Sequence, residues 1–113
     1  MGMSFALGPE TVRLGRWHYT APELSTDGRG NTVFLVEAAF GPAESVEWGL
    51  DARGQPYRHH TYGEDSFYAE TTELHPITMD ELRGRLEYTA RLMRDSGHPD
   101  FGARLEQSLL RIR

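Results

Sequence analysis

The stretch SVEWGLDARGQPYRHHTY, residues 45–62, alternates Val46, Trp48 and Leu50 against Glu47 and Gly49. That is the period-2 pattern of a strand with one buried face. Asp51-Ala52-Arg53-Gly54-Gln55 then reads as a type I turn closed by Gly54 in the left-handed region, a three-residue hairpin loop. Pro56 opens the returning strand, 56–62, at a first position where a missing N–H is tolerated. A hairpin in mid-chain commits the sheet to antiparallel pairing.

Outward from it, residues 32–40 (TVFLVEAAF) form the most apolar run and the best candidate for a central strand, stopped by Gly41-Pro42. Residues 11–19 (TVRLGRWHY) read as one further strand, followed by a long loop over 20–31 that holds Pro22 and the turn-rich Asp27-Gly28-Arg29-Gly30-Asn31. After a turn at 63–65, residues 66–72 (SFYAETT) extend the meander.

The period then changes to 3.6. Thr78 and Glu81 form a capping box, with Ile77 placed to staple onto Leu82. Met79, Leu82, Leu86, Ala90 and Met93 make one apolar stripe, and Glu81–Arg85 and Glu87–Arg91 are i,i+4 pairs on the solvent side. Gly97 ends this helix and Pro99 forbids its continuation; Asp100 then caps a second helix with Phe101, Leu105, Leu109 and Ile112 at helical spacing. With strands first and helices last, the expected fold is one α+β domain over residues 1–113. It comprises an antiparallel meander of four or five strands, with both helices on one face and Leu82, Leu86 and Met93 packed on Phe34, Val36 and Trp48.

Composition narrows the function. The chain has 113 residues, 38% of them hydrophobic and 26% charged, and includes five Tyr, five Phe and two Trp. That is enough for one core. Cysteine is absent, so no disulfide, thiolate nucleophile or zinc ribbon is available. Residues 1–9 lack a basic leader with an apolar run, and no stretch approaches a membrane span, so the expected location is the cytoplasm. All twelve basic residues are arginine, which points to a GC-rich, bacterial genome rather than to a function. Charge is uneven: residues 59–81 hold six acids and no arginine, against a balance of −2 over 1–58 and +3 over 82–113. A net charge of −5 argues against a nucleic-acid partner, which needs a basic face.

The hairpin also holds the densest functional groups. With a three-residue loop Glu47 falls opposite His59; with a two-residue loop it falls opposite His60. Either register sets a carboxylate across from an imidazole, the ingredient for a general base or for two ligands of a metal that takes a third from His18 or Asp51. The plainer reading is a solvent-facing pair that stabilises the hairpin. His59 and His60 are neighbours on a strand and face opposite sides, so the two together do not ligate one metal. His18, His75 and His98 follow no ligand spacing, the serines lie in no nucleophile elbow, and Gly28 and Gly30 open no helix. No catalytic residue, metal or cofactor is therefore assigned.

Two functions remain. The first is a protein-interaction or inhibitory module, in the manner of immunity and antitoxin proteins. It would dock a basic protein on an acidic rim of Glu64, Asp65, Glu70 and Glu73. The alternative is a small-molecule-binding or enzymatic domain with a polar pocket around 47–62, using Glu47, Arg58, His59, His60 and Tyr62. A homodimer is a third, plainer outcome, and a membrane is not expected.

Overall fold

The computed structural model describes residues 10–21, 30–39, 44–63 and 70–112, with backbone alone at 10, 63 and 70–73. Its elements are β1 (Glu10–Leu14), β2 (Trp17–Ala21), β3 (Thr32–Ala39), β4 (Glu44–Leu50), β5 (Pro56–Gly63), β6 (Glu70–Pro76), α1 (Met79–Asp95) and α2 (Pro99–Arg111). The six strands form one antiparallel meander in chain order, and both helices follow it.

The architecture is α+β as the sequence indicates, but there are six strands, not four or five. The difference arises in residues 11–19, which form a hairpin rather than one strand. Leu14 pairs with Trp17, and Gly15 makes the turn between them at φ 64°. A two-residue hairpin turn needs positive φ at its first central residue, and Gly15 supplies it without steric cost. β6 lies later than the expected 66–72; residues 64–69 are outside the described set.

The β4–β5 hairpin closes as its sequence dictates. The Asp51 N–H donates to Gln55 O at 2.8 Å and the Gly54 N–H to Asp51 O at 2.9 Å, while Asp51 Oδ1 accepts from the N–H groups of Arg53 and Gln55. The three-residue loop sets Glu47 opposite His59.

In β3 the register with β4 shifts between Val33 and Leu35, a bulge that leaves Phe34 without a partner. One extra residue reverses the inside–outside parity of everything that follows it. Phe34 and Leu35 both join the core, then Glu37 and Ala39 point inward, while Val36 pairs with Glu47 on the opposite face. The expected core position of Val36 is thus corrected to Leu35.

α1 begins at the capping box, with the Glu81 N–H donating to Thr78 Oγ1 at 3.0 Å and the Thr78 N–H to Glu81 Oε1 at 2.9 Å. It ends in a Schellman motif: His98 N–H reaches Met93 O and Gly97 N–H reaches Arg94 O. Pro99, which stops α1, is itself the first residue of α2; His98 stands at the cap and Asp100 in the first turn, so the expected Asp100 cap is not formed. Leu82, Leu86, Ala90 and Met93 of α1 and Phe101, Leu105 and Ile112 at α2 bury against Val12, Tyr19, Ala21, Phe34 and Leu35. Both helices therefore cover one face. Leu86→Ala is expected to lower unfolding free energy in urea by about 2–5 kcal/mol. Leu110→Ala, at a position that is mostly exposed, should change it by less than about 0.5 kcal/mol.

Candidate functional site

Strand alternation divides the hairpin's functional groups between two faces. On the face away from the helices lie Glu47, Tyr57 and His59; on the helix side lie Trp48, Arg58, His60 and Tyr62. Glu47 and His59 are cross-strand partners, yet the Glu47 carboxylate takes its hydrogen bond from the Tyr57 hydroxyl. His60 bonds Glu44 instead, with Nε2 2.7 Å from Glu44 Oε2, and its ring lies 4.8 Å from that of Tyr62. The expected grouping of Glu47, Arg58, His59, His60 and Tyr62 around one pocket is thereby divided. Asp51 is occupied in its turn, and among the described residues no three His, Asp or Glu side chains gather as they would around a metal. Of the expected acidic rim, Glu64 and Asp65 lie outside the described residues. Glu70 and Glu73 stand on β6, in register with Gly63 and His60. His75 belongs to β6, opposite Arg58.

The residue that organises the helix side is Glu37, 4% exposed on the central strand. Its carboxylate accepts from Trp48 Nε1 at 2.7 Å, from Arg85 Nε at 2.8 Å and from Arg85 Nη2. A fork of this kind is the strong form of the Arg–carboxylate bond. Arg85 thus leaves the solvent-side pair with Glu81 that helical spacing suggests, and Glu81 serves the capping box. The hydrogen bonds to Glu37 hold the Arg85 guanidinium above its ordinary pKa, against the opposing effect of burial. Tyr19, cross-strand from Glu37, is also raised, first by burial and then by the Glu37 carboxylate, with Arg85 pulling the other way.

Sequence reading missed this node. One signal was available: a lone acid inside the apolar run 32–40. Without the bulge, however, that acid belongs on the outer face.

Around the node opens a cleft of about 320 Å³, lined by Trp48, Arg58, Ile77, Glu81, Gly84, Arg85 and Tyr88. The guanidinium carbons of Arg58 and Arg85 lie 5.9 and 5.6 Å from the Trp48 ring centroid, and that of Arg85 lies 5.3 Å from Tyr88, within cation–π range. Arg58 Nε is buried without an acceptor. Tyr88 at 54% and Tyr62 at 38% are among the large side chains most open to solvent.

Compared with protein-family models, with curated proteins and with solved structures, the chain has no match. Among the described residues no helix is long and apolar enough to cross a membrane.

Two outcomes follow from the node. Arg85→Ala abandons a buried carboxylate and should cost about 3 kcal/mol in urea unfolding. Glu37→Gln should cost less, because Arg85 is partly exposed and can turn to water while Trp48 keeps an acceptor. Separately, the folded state holds the Tyr19 proton more tightly than the unfolded chain does. The resulting stability is complete below the ordinary tyrosine range and is lost as pH rises through the folded pKa. Unfolding free energy should decline above about pH 10, and Tyr19→Phe should flatten that decline.

Proposed function

We propose that the chain is a protein-interaction module of the inhibitory kind, as immunity and antitoxin proteins are, rather than an enzyme. The observation that carries this reading is the open cleft on the helix side of β4–β5, rimmed by Trp48, Tyr88, Arg58 and Arg85. Tyr, Trp and Arg are the residue types that dominate binding hot spots. Three groups that could do acid–base chemistry are meanwhile engaged internally: Glu47 with Tyr57, His60 with Glu44, and Glu37 with Arg85 and Trp48. A net charge of −5 favours a basic partner and acts mainly on the rate of encounter. The acidic stretch 59–81 is its densest source, and Glu64, Asp65, Glu70 and Glu73 form the rim of this reading. The cytoplasm is the compartment we assign, a setting that the cysteine-free composition fits.

The cleft volume is what favours the alternative, a small-molecule site at the 47–62 hairpin, since 320 Å³ is at the small end of ligand pockets. Affinity capture from native lysate at low and high salt, with mass-spectrometric identification, separates the two. The interaction reading expects a stoichiometric basic protein whose association rate falls as salt rises. The joint change Tyr62→Ala and Tyr88→Ala should weaken it by at least about tenfold, with Leu110→Ala as a control without effect. Recovery of no protein at low salt, or equal binding by the double variant, would sink it.

A further inference from the structure

We infer that the cleft between β4–β5 and α1 receives a carboxylate carried beside an aromatic or apolar group, presented by the partner protein as an acidic side chain. This rests on the interaction reading above and names the chemistry of its contact point.

Three features of the cleft point to a ligand. The first is Arg58. Of the two arginines that line the cleft, Arg85 pairs with Glu37, whereas Arg58 has no acidic partner among the described residues. Its guanidinium is positioned by stacking beside Trp48, and its Nε is buried without an acceptor. A guanidinium placed by packing rather than by hydrogen bonds keeps its terminal donors available, and the planar fork suits a carboxylate.

The second is Gly84. It lies inside α1, where glycine is the least favourable residue after proline. A Cβ built there meets nothing within 4 Å, so no packing within the chain requires its absence. What the glycine does is bare the backbone of α1 in the cleft, as close approach by another molecule demands. The third is the aromatic wall, Trp48 and the exposed ring of Tyr88, an apolar surface for whatever carries the carboxylate.

The charge count selects a monoanion. Arg85 is neutralised by Glu37, and Glu81 lines the same cleft with its carboxylate at the capping box. A phosphate dianion would therefore meet one uncompensated cation beside a carboxylate. Nor does the net −5 oppose the inference. Screening confines exposed charges to about 8–10 Å at physiological salt. The overall field thus guides a basic partner inward while Arg58 reads one acid at contact.

The test uses the full ¹⁵N-labelled chain titrated with N-acetyl-phenylalaninate, with its neutral carboxamide and with inorganic phosphate. The resonances followed are the Trp48 indole N–H, the Gly84 amide and the Arg58 Nε–H. Saturable shifts are expected with the acid, and binding at least about fivefold weaker with the amide, as loss of a charge-assisted hydrogen bond implies. Arg58→Gln should abolish the difference between acid and amide. Gly84→Ala should raise Tm and yet weaken the acid, so a loss of binding there is not a loss of fold. Equal binding of acid and amide, tighter binding of phosphate, or unchanged acid binding in Arg58→Gln would overturn the inference. Partner capture separates it from the reading it rests on. Arg58→Gln capturing like the parent chain, while the Tyr62 and Tyr88 double variant does not, removes the carboxylate and keeps the interaction. Acid binding that depends on Arg58, with no partner recovered, removes the interaction and keeps the site.

Discussion

A carboxylate inside a protein must be matched by donors, and Glu37 is matched by three, from Trp48 Nε1 and from Arg85 Nε and Nη2. Those donors come from the neighbouring strand β4 and from α1. Desolvation makes a buried acid costly unless every partner is in place, so this bond has few tolerable geometries. It therefore acts as a register pin between layers that apolar packing alone would hold less specifically. With Arg85 drawn to Glu37, its guanidinium lies against Trp48 and Tyr88, and the walls of the cleft are set by the same bond that docks the helix.

The reason a cleft exists at all is one of width. Six strands at about 4.8 Å spacing make a sheet about 24 Å across. Two helices packed about 8–10 Å apart leave part of it bare. In this chain the helices bury the β1–β3 side, where Val12, Tyr19, Ala21, Phe34 and Leu35 lie in the core. On β4 and β5 the same face carries Val46, Trp48, Arg58 and His60, all only partly covered. Polar and aromatic residues stand where the helical cover runs out, and the sequence is matched to that boundary: apolar alternation on β2 and β3, amphipathic side chains on β4 and β5.

Local chemistry was legible and non-local chemistry was not. Asp51 and Gly54 fix their turn within five residues, Thr78 and Glu81 their cap within four, and Gly97 its helix end within five, so each could be read from its own neighbourhood. The bulge at Phe34 could not, because it demands no particular residue at that point and shows itself only in pairing with β4. Its effect is large: without it Val36 faces the core and Glu37 faces water. Gly15 was passed over for a related reason. A single glycine among Arg13, Leu14, Arg16 and Trp17 is compatible with a strand until the pairing of Leu14 with Trp17 is known. Arg85 was misassigned because helical spacing offers Glu81 as a partner, whereas the buried acid at Glu37 is 48 residues away in the chain.

The candidate site was legible in content rather than in arrangement. The cluster from Tyr57 to Tyr62 did mark the functional stretch, and its cross-strand register with β4 followed from the turn. A strand nevertheless distributes consecutive residues to opposite faces, so a dense run of chemistry along one strand is two half-sites by construction. Tyr57 and His59 join Glu47 on one side; Arg58, His60 and Tyr62 share the other with Trp48, where Arg58 alone of the three lines the cleft against α1. What decides between the two sides is which groups are already satisfied. Glu47 is held by Tyr57 and His60 by Glu44, whereas Arg58 stands beside an indole with a donor unfilled. Unmet hydrogen-bonding capacity next to an accessible aromatic wall is a property of the folded neighbourhood. No residue pattern announces it, and it draws attention from the histidine pair of the sequence to an arginine one position away.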